Sequence, residues 1–241
     1  MVLIMNLNIW NYNKFDIRKK LIVNFIKKHN PDIINFQEIR DDSRRDRKGD
    51  NQLKQLNRLL KYPYMKFFET MDVNVVNKKL NDSKYDASNP RVKEGVAILS
   101  KFKILKSKGF KLAQHQKDAY TRGILWAKIK AEQNIDVIVV HYSANDLFSK
   151  LHLKETLDFA QANSIYPIII GDFNIRKIKI AHQLASKNFI VSRDKFEYYS
   201  FPNKKETLDY ILIPKNYLFK KFQAIGHKIS DHKALLADIQ I

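Results

Sequence analysis

The sequence predicts an α/β fold in which a mixed sheet, or a pair of sheets, is flanked by helices. Short runs rich in β-branched residues recur along the whole chain. Amphipathic segments of helical period separate some of them. Several neighbouring runs have no helical segment between them, which argues against a wholly parallel barrel.

Val2 to Ile9 has the apolar run of a buried strand, and Lys14 to His29 then places Ile17, Leu21, Ile22, Phe25 and Ile26 on one helical face. Pro31 stops that helix, and Asp32 to Phe36 is a second strand. Leu53 to Leu60 follows as a short helix, Tyr62 to Phe68 as a buried strand, Gly95 to Leu99 as a strand and Phe102 to Leu112 as a basic strand-like segment. Trp126 to Ile129 and the β-branched Ile135 to Val140 are further strands. Leu147 to Ala162 is an amphipathic helix, Ile165 to Ile170 a buried strand and Ile178 to Ala185 a short helix; Thr207 to Ile213 and Ala234 to Ile239 complete the strands.

The 241 residues suffice for one large core, and no Pro/Gly/Ser-rich linker divides them, so residues 1–241 are expected to form one domain. The polar stretch Asn74 to Glu94 is expected to be a surface excursion. With no cysteine, disulfides, thiolate catalysis and cysteine-held zinc are excluded. No apolar run reaches membrane-spanning length, and the amino-terminal Met1 to Met5 is too short for a signal core. The default location is cytoplasmic, or secreted if an export signal has been removed. Lys and Arg number 44 against 25 Asp and Glu, a formal net charge of +19. A polyanionic partner and a lysine-rich genome account for that excess equally well.

Polar residues stand where the apolar runs end: Asn8, Gln37-Glu38, His141, Asp172-Phe173-Asn174, Asp209 and Asp231-His232. Each alone has an ordinary reading as the first residue of a loop. Together they hold what phosphodiester cleavage needs: oxygen ligands for a hard cation, a way to prepare water and help for the departing oxygen. Glu38, with Asn8 beside it, is the first candidate for the metal, or else an exposed charge and a turn residue. In Gly171-Asp172-Phe173-Asn174 the Asp and Asn, two apart, can share a side and orient a water. His232 and His141 titrate near neutrality, with Asp209 and Glu94 as orienting acceptors. His29, His115, His152, His182 and His227 are assigned structural or solvent-facing places. No Gly-rich phosphate loop, zincin histidine pair or Gly-x-Ser-x-Gly elbow is present.

In this order the set resembles the endonuclease/exonuclease/phosphatase superfamily, and its deoxyribonuclease I-like members in particular. It runs from Leu7-Asn8-Ile9-Trp10 through Phe36-Gln37-Glu38, Glu94-Gly95-Val96-Ala97-Ile98-Leu99-Ser100, Val140-His141 and Gly171-Asp172-Phe173-Asn174 to Leu208-Asp209-Tyr210 and Ser230-Asp231-His232. The resemblance implies a four-layer α/β/β/α sandwich with the site where the two sheets open at one edge. It implies Asn8 and Glu38 as the metal-side pair, Asp231 as a further metal- or phosphate-site carboxylate, and Asp172 and Asn174 as holders of the nucleophilic water. His232, oriented by Asp209, and His141, supported by Glu94, would act at the phosphate, either one as acid or base. Arg122 falls where many members have an arginine opening a strand; it would hold a substrate phosphate with Asn174, or form a surface ion pair. The implied cofactor is Mg2+, with Mn2+ or Ca2+ as alternatives.

Basic residues gather in Arg40 to Lys48, Lys101 to Lys111, Lys204-Lys205 and Lys215 to Lys221, several of which are expected near the site. They favour nucleic acid, DNA before RNA, as the partner of a nuclease site on a chain expected to be monomeric. A sphingomyelinase- or inositol-phosphate-type phosphoesterase is the first alternative. A non-catalytic nucleic-acid-binding protein on the same scaffold is the second.

Overall fold

A computed structural model describes residues 1–46, 49–79, 92–114, 118–226 and 228–241. Val2–Asn8 (β1), Ile33–Asp42 (β2), Tyr64–Asp72 (β3) and Val92–Ser100 (β4) belong to one sheet, with Phe15–His29 (α1), Gln52–Leu60 (α2) and Val73–Lys79 (α3) between them. Lys103–Lys111 (β5), Gly123–Lys130 (β6), Asn134–His141 (β7), Ile168–Asp172 (β8), Phe189–Val191 (β9) and Asp209–Pro214 (β10) form the other, with Asp146–Ala162 (α4), Ile178–Ala185 (α5) and Ser192–Lys195 (α6). Leu218–Ile225 (β11) and Ala234–Gln240 (β12) return to the first. The strand orders are β11-β12-β1-β2-β4-β3 and β5-β6-β7-β8-β10-β9, each with one parallel pair, β1–β2 and β7–β8.

Three apolar layers fix the α/β/β/α stacking. Met5, Leu7, Ile34 and Phe36 face Phe15, Ile22, Ile26 and Leu53, which seats α1 and α2 on the first sheet. Ile138, Val140 and Ile169 face Leu153 and Ala181, which seats α4 and α5 on the second. Between the sheets lie Val2, Ile4, Ile33, Val96, Ile98, Leu125, Ala127, Val137, Val139, Ile168, Ile170, Ile211 and Leu235. Because side chains alternate across a strand, the inner layer is the even positions of β1 and the odd positions of β2 and β7. Each fully buried aliphatic side chain contributes roughly 1.5–3 kcal/mol.

Several boundaries differ from the sequence reading. On α1 the buried row is Phe15, Arg18, Ile22 and Ile26, while Ile17 and Leu21 are 72% and 46% exposed. The apolar positions form two adjacent ridges, and Arg18, reaching back to loop carbonyls, selects one of them. β2 does not stop at Phe36; it bulges at Gln37–Glu38, where the register against β4 shifts, and continues to Asp42. β3 is a half-exposed edge strand rather than a buried one. Of the four basic segments, Lys215 to Lys221 is not among those near the site: it leads into edge strand β11, and its Lys221 pairs with Asp238 at the opposite end of the sheet. Of the polar stretch Asn74 to Glu94, residues 74–79 are helical and 92–94 begin β4; 80–91 lie outside the described residues, as do 47–48, His115 and His227. His152 is buried with Nδ1 accepting from Ser143 N and Nε2 at Ala113 O, His182 is exposed beside Asp194, and His29 packs on Phe25.

Candidate active site

Along the inner layer each strand changes from hydrocarbon to polar at the same end of the sandwich. β1 runs Val2, Ile4, Asn6, Asn8; β7 runs Val137, Val139, His141; β8 runs Ile168, Ile170, Asp172; β10, in the opposite direction, ends its Ile213, Ile211 row at Asp209. Glu94 continues the Val96, Ile98 row of β4 in the same way. The register sets Asp172 opposite both His141 and Asp209. Strand periodicity therefore delivers these side chains together, and loops add the rest.

Hydrogen bonds then cross from sheet to sheet. Asn6 Nδ2 donates to Asp209 Oδ1 at 3.2 Å and Asn8 Nδ2 to Asp172 Oδ2 at 3.2 Å. His232, in the turn before β12, sets Nδ1 2.7 Å from Asp209 Oδ2. Its Nε2 lies 3.9 Å from Asp172 Oδ2, and His141 Nε2 lies 3.7 Å from the same oxygen. Gln37 Nε2 donates to Asn6 Oδ1 at 2.8 Å, so a buried amide pair holds Asp209 in place. Phe201 packs its ring 4.9 Å from that of His232.

Burial alone pulls the His232 imidazole down, but the Asp209 carboxylate, with Asp172 and Asp231 beyond it, raises it to about 10. It is a cation at neutral pH. Burial and the neighbouring Asp209 push Asp172 up to about 7, against the pull of His232 and Asn8. His141 moves the other way: burial, the Arg122 guanidinium and His232 keep it well below the usual histidine range, hence neutral. Two imidazoles thus stand in opposite protonation states around one carboxyl.

The turn after β8 aims the next group. Gly171 takes φ +153, and a Cβ there would stand 2.0 Å from Val140 O. Asn174, at φ 53, donates its backbone N–H to Asp172 Oδ1 at 3.0 Å and its Nδ2 to Tyr142 O at 3.1 Å. Glu38 sits at the β2 bulge with φ 59, which re-aims a side chain out of the pleat. Its two oxygens accept from Asn8 Nδ2 at 3.1 Å and Asn11 Nδ2 at 2.9 Å. Burial and then the like charge of Glu94 raise its carboxyl above the ordinary range, with Asp231 adding to the rise. Ser230 Oγ, donating to Asn8 O at 2.7 Å, ties the Asp231 turn to β1.

Glu38 and Asp231, close enough for the charge of one to act on the other, offer oxygen donors only, a set that fits a hard divalent cation. Asp172, Asp209 and His232 also bring three ligand atoms within 4.8 Å of one another. There, however, both Asp209 oxygens are already bonded to His232 and Asn6.

Two expected roles change. Glu94 does not support His141; its Oε2 accepts from Arg40 Nε at 2.7 Å, because β2 and β4 place Arg40 and Glu94 opposite each other. Asn8 is not oriented as an oxygen ligand: its Oδ1 accepts from Trp10 N at 3.0 Å, which turns the NH2 toward Glu38 and Asp172. Arg122 is buried, and among the described residues it makes no ion pair. It is 7% exposed, with Nη1 3.2 Å from both His141 ring nitrogens and, among the described residues, no partner for its buried Nε.

Sequence reasoning missed three contributors. Asn6 carried a signal, being two before Asn8 and so on the same face. Asn11 had none beyond proximity to Asn8. Arg18 was hidden inside an amphipathic helix: its guanidinium donates to the carbonyls of Ile9 (2.7 Å), Ile229 (2.9 Å), Trp10, Asn11 and Asn13. Left-handed Trp10 (φ 56) and Asn11 (φ 37) lie in the loop it gathers.

A family model described as Endonuclease/Exonuclease/phosphatase family matches residues 5–232. No curated protein sequence matches the chain. Among solved structures, an endonuclease/exonuclease/phosphatase family protein from Leptotrichia buccalis is 20% identical with a TM-score of 0.77, covering 100% of each chain. The human Nocturnin catalytic domain with bound sulfate is 20% identical with a TM-score of 0.73, covering 99% of this chain and 94% of its own. The mannosyl-6-phosphatase Bt3783 of Bacteroides thetaiotaomicron is 14% identical with a TM-score of 0.70, covering 100% of each. At these identities the structural likeness shows the shared sandwich, and the match over residues 5–232 places the chain in the Endonuclease/Exonuclease/phosphatase family of phosphoester hydrolases.

Proposed function

We propose that the protein is a magnesium-dependent phosphodiesterase that cleaves nucleic acid, DNA foremost. The observation that carries the reading is the convergence on Asp172 Oδ2 of two imidazole Nε2 atoms, His141 at 3.7 Å and His232 at 3.9 Å, with Asp209 holding the Nδ1 of His232 at 2.7 Å. Glu38 and Asp231 would hold the metal, and Mg2+ bound there would neutralise phosphate oxygens as a Lewis acid.

The chain's own groups account for the rest. The Asn174 side-chain oxygen and Asp172 align a water, and Asp172, with a carboxyl near 7, accepts its proton as the new P–O bond forms. Imidazolium His232, held by Asp209, donates through Nε2 to the phosphate as charge develops on it. Neutral His141 and the unpartnered Nε of Arg122 provide further donors for a phosphate oxygen. The P–O bond to the leaving alkoxide breaks, and the alkoxide takes up a proton.

The formal charge of +19 favours a polyanionic substrate. Arg40, Arg44 and Arg45 border an open groove of 610 Å³ that Asn11 joins to the Glu38 side. A small phosphomonoester, as the name of the Bacteroides enzyme indicates for that protein, is the competing substrate class. Nicking of supercoiled plasmid with Mg2+, with and without EDTA, tests the reading beside Asp172→Ala and His232→Ala. Wild-type cleavage abolished by EDTA and lowered by orders of magnitude in both variants is the expected result. Hydrolysis of sugar, inositol or choline phosphates with nucleic acid untouched would replace the substrate; inactivity on all of them would leave a binding protein.

A further inference from the structure

On the outer face of the second sheet, β5 and β6 set lysine against lysine. The antiparallel register pairs Lys103 with Lys130 and Lys106 with Lys128, on either side of the inward Ile104–Ile129 pair. Lys108 follows on the same face opposite Trp126 and stands 5.0 Å over the Phe110 ring. Like charges directly opposite on one face destabilise a sheet. Among the described residues, Lys103, Lys106, Lys128 and Lys130 make no side-chain hydrogen bond or ion pair.

The nearest acids on this part of the sheet offset the four lysines only in part, Asp136 placing one negative charge across from Lys128. Asp136, across from Lys128, accepts from Trp126 Nε1 at 2.8 Å, and Glu132 in the β6–β7 turn pairs with the Met1 amino group at 2.9 Å. A row in which lysines outnumber the facing acid on stiff strands is complementary to a polyanion. A membrane-binding face would also offer apolar side chains for insertion, and on β5 the exposed large apolar residue is Leu105 alone.

We propose that Lys103, Lys106, Lys128 and Lys130 form a phosphate-backbone docking surface for nucleic acid, separate from the site of cleavage. Gly123 pairs with His141, and Lys128 lies five residues further along β6, roughly 17 Å away at about 3.3 Å per residue. A strand that reaches both places must be longer than about five nucleotides at 3.4 Å each. The surface contacts sugar–phosphate and reads no sequence. It rests on the nucleic-acid reading of the site for the identity of the polyanion.

The test is binding of the quadruple variant K103Q/K106Q/K128Q/K130Q to a duplex of about 30 base pairs, roughly 100 Å long, with EDTA present. An oligonucleotide of about four nucleotides, too short to span the gap, is the control. The variant's Kd for the duplex is expected to rise about tenfold or more, and the slope of log Kd against log salt to fall by about 3 to 4. Its Kd for the short oligonucleotide and its turnover of a small activated phosphodiester should match wild type. Melting at or above the wild-type Tm would show it folded, because two repulsive cross-strand pairs have been removed.

Unchanged duplex Kd and slope in the folded variant would overturn the proposal while leaving the phosphoesterase reading intact. Selective loss of binding to phosphatidylserine vesicles, with duplex binding kept, would overturn it in favour of a membrane. Weakened duplex binding by the variant, with a wild type that binds the duplex but hydrolyses no phosphoester, would uphold the surface and sink the catalytic reading.

Discussion

His232 Nδ1 and Asp209 Oδ2 stand 2.7 Å apart, one from the turn before β12 and the other from β10, and this hydrogen bond ties the two sheets together at the candidate reaction centre beside those from Asn6 and Asn8. Asp209 is fully buried, and its other oxygen takes Asn6 Nδ2. The carboxylate fixes which His232 nitrogen faces outward and keeps the ring cationic.

Asp209→Asn is expected to lower kcat about 1,000-fold or more with a smaller change in KM. With the carboxylate gone, His232 falls from about 10 toward its ordinary value, so the alkaline limb of the kcat profile moves to lower pH. The same raised value links to stability. The contribution of this pair is full below about 6.5, the unfolded value, and is lost as pH rises through about 10. Urea titrations across pH 6 to about 10.5 should show that decline in wild type and a flatter profile in Asp209→Asn. A parallel decline in both would remove the pair as its cause.

Asn6 touches no substrate position and acts through Asp209. Replacing it with Leu should reduce kcat about 10- to 100-fold, the worth of one hydrogen bond to a charged group, and leave KM nearly unchanged. A purely structural role would instead lower Tm without moving the pH profile.

Arg18 serves as the hub of the β1–α1 loop and the Ile229 turn, which carry Asn11 and Asp231. Arg18→Met leaves several carbonyls without a donor and should cost about 3 kcal/mol in urea unfolding. Weaker metal dependence, measured as a higher Mg2+ concentration for half-maximal rate, should accompany it. A stability loss alone would show that the hub does not shape the cation site.

Gly171→Ala puts a methyl group 2.0 Å from Val140 O at a φ of +153. The strand must shift, taking Asp172 with it. A fall in kcat of about 100-fold, of the order expected for a displacement near 1 Å, should appear with a lowered Tm. Wild-type kcat in this variant would mean that the turn does not aim Asp172.

Most of the candidate site was legible because strands are periodic. Asp172, Asp209, His141 and Glu94 each extend an apolar row by one step of two residues, and a sequence displays that step directly. Glu38 was legible as a residue but not as a conformation: a bulge leaves no periodic trace when the strand resumes beyond it. Glu94 was given to His141 because its true neighbour, Arg40, depends on the pairing of β2 with β4, which sequence spacing does not encode. Arg18 was illegible for a related reason. Its partners are backbone carbonyls, which every residue owns and none advertises. Strand β11 was missed because its lysines obscure the inward Phe219 and Phe222 that pack on the inner core.

The bonds from Asn8 to Asp172 and from His232 to Asp209 make the catalytic gap a measure of how thick the sandwich is. That thickness is set elsewhere, by the Ile and Val pairs that fill the space between the sheets, and it acts as a gauge block beneath the jaws of a vice. Adding or removing a methylene at Ile4, Val137 or Ile211 alters the separation of the two walls without touching a reactive group. On the proposed mechanism the rate should therefore follow core volume, and compensating volume changes in that layer should restore the rate of a variant damaged there.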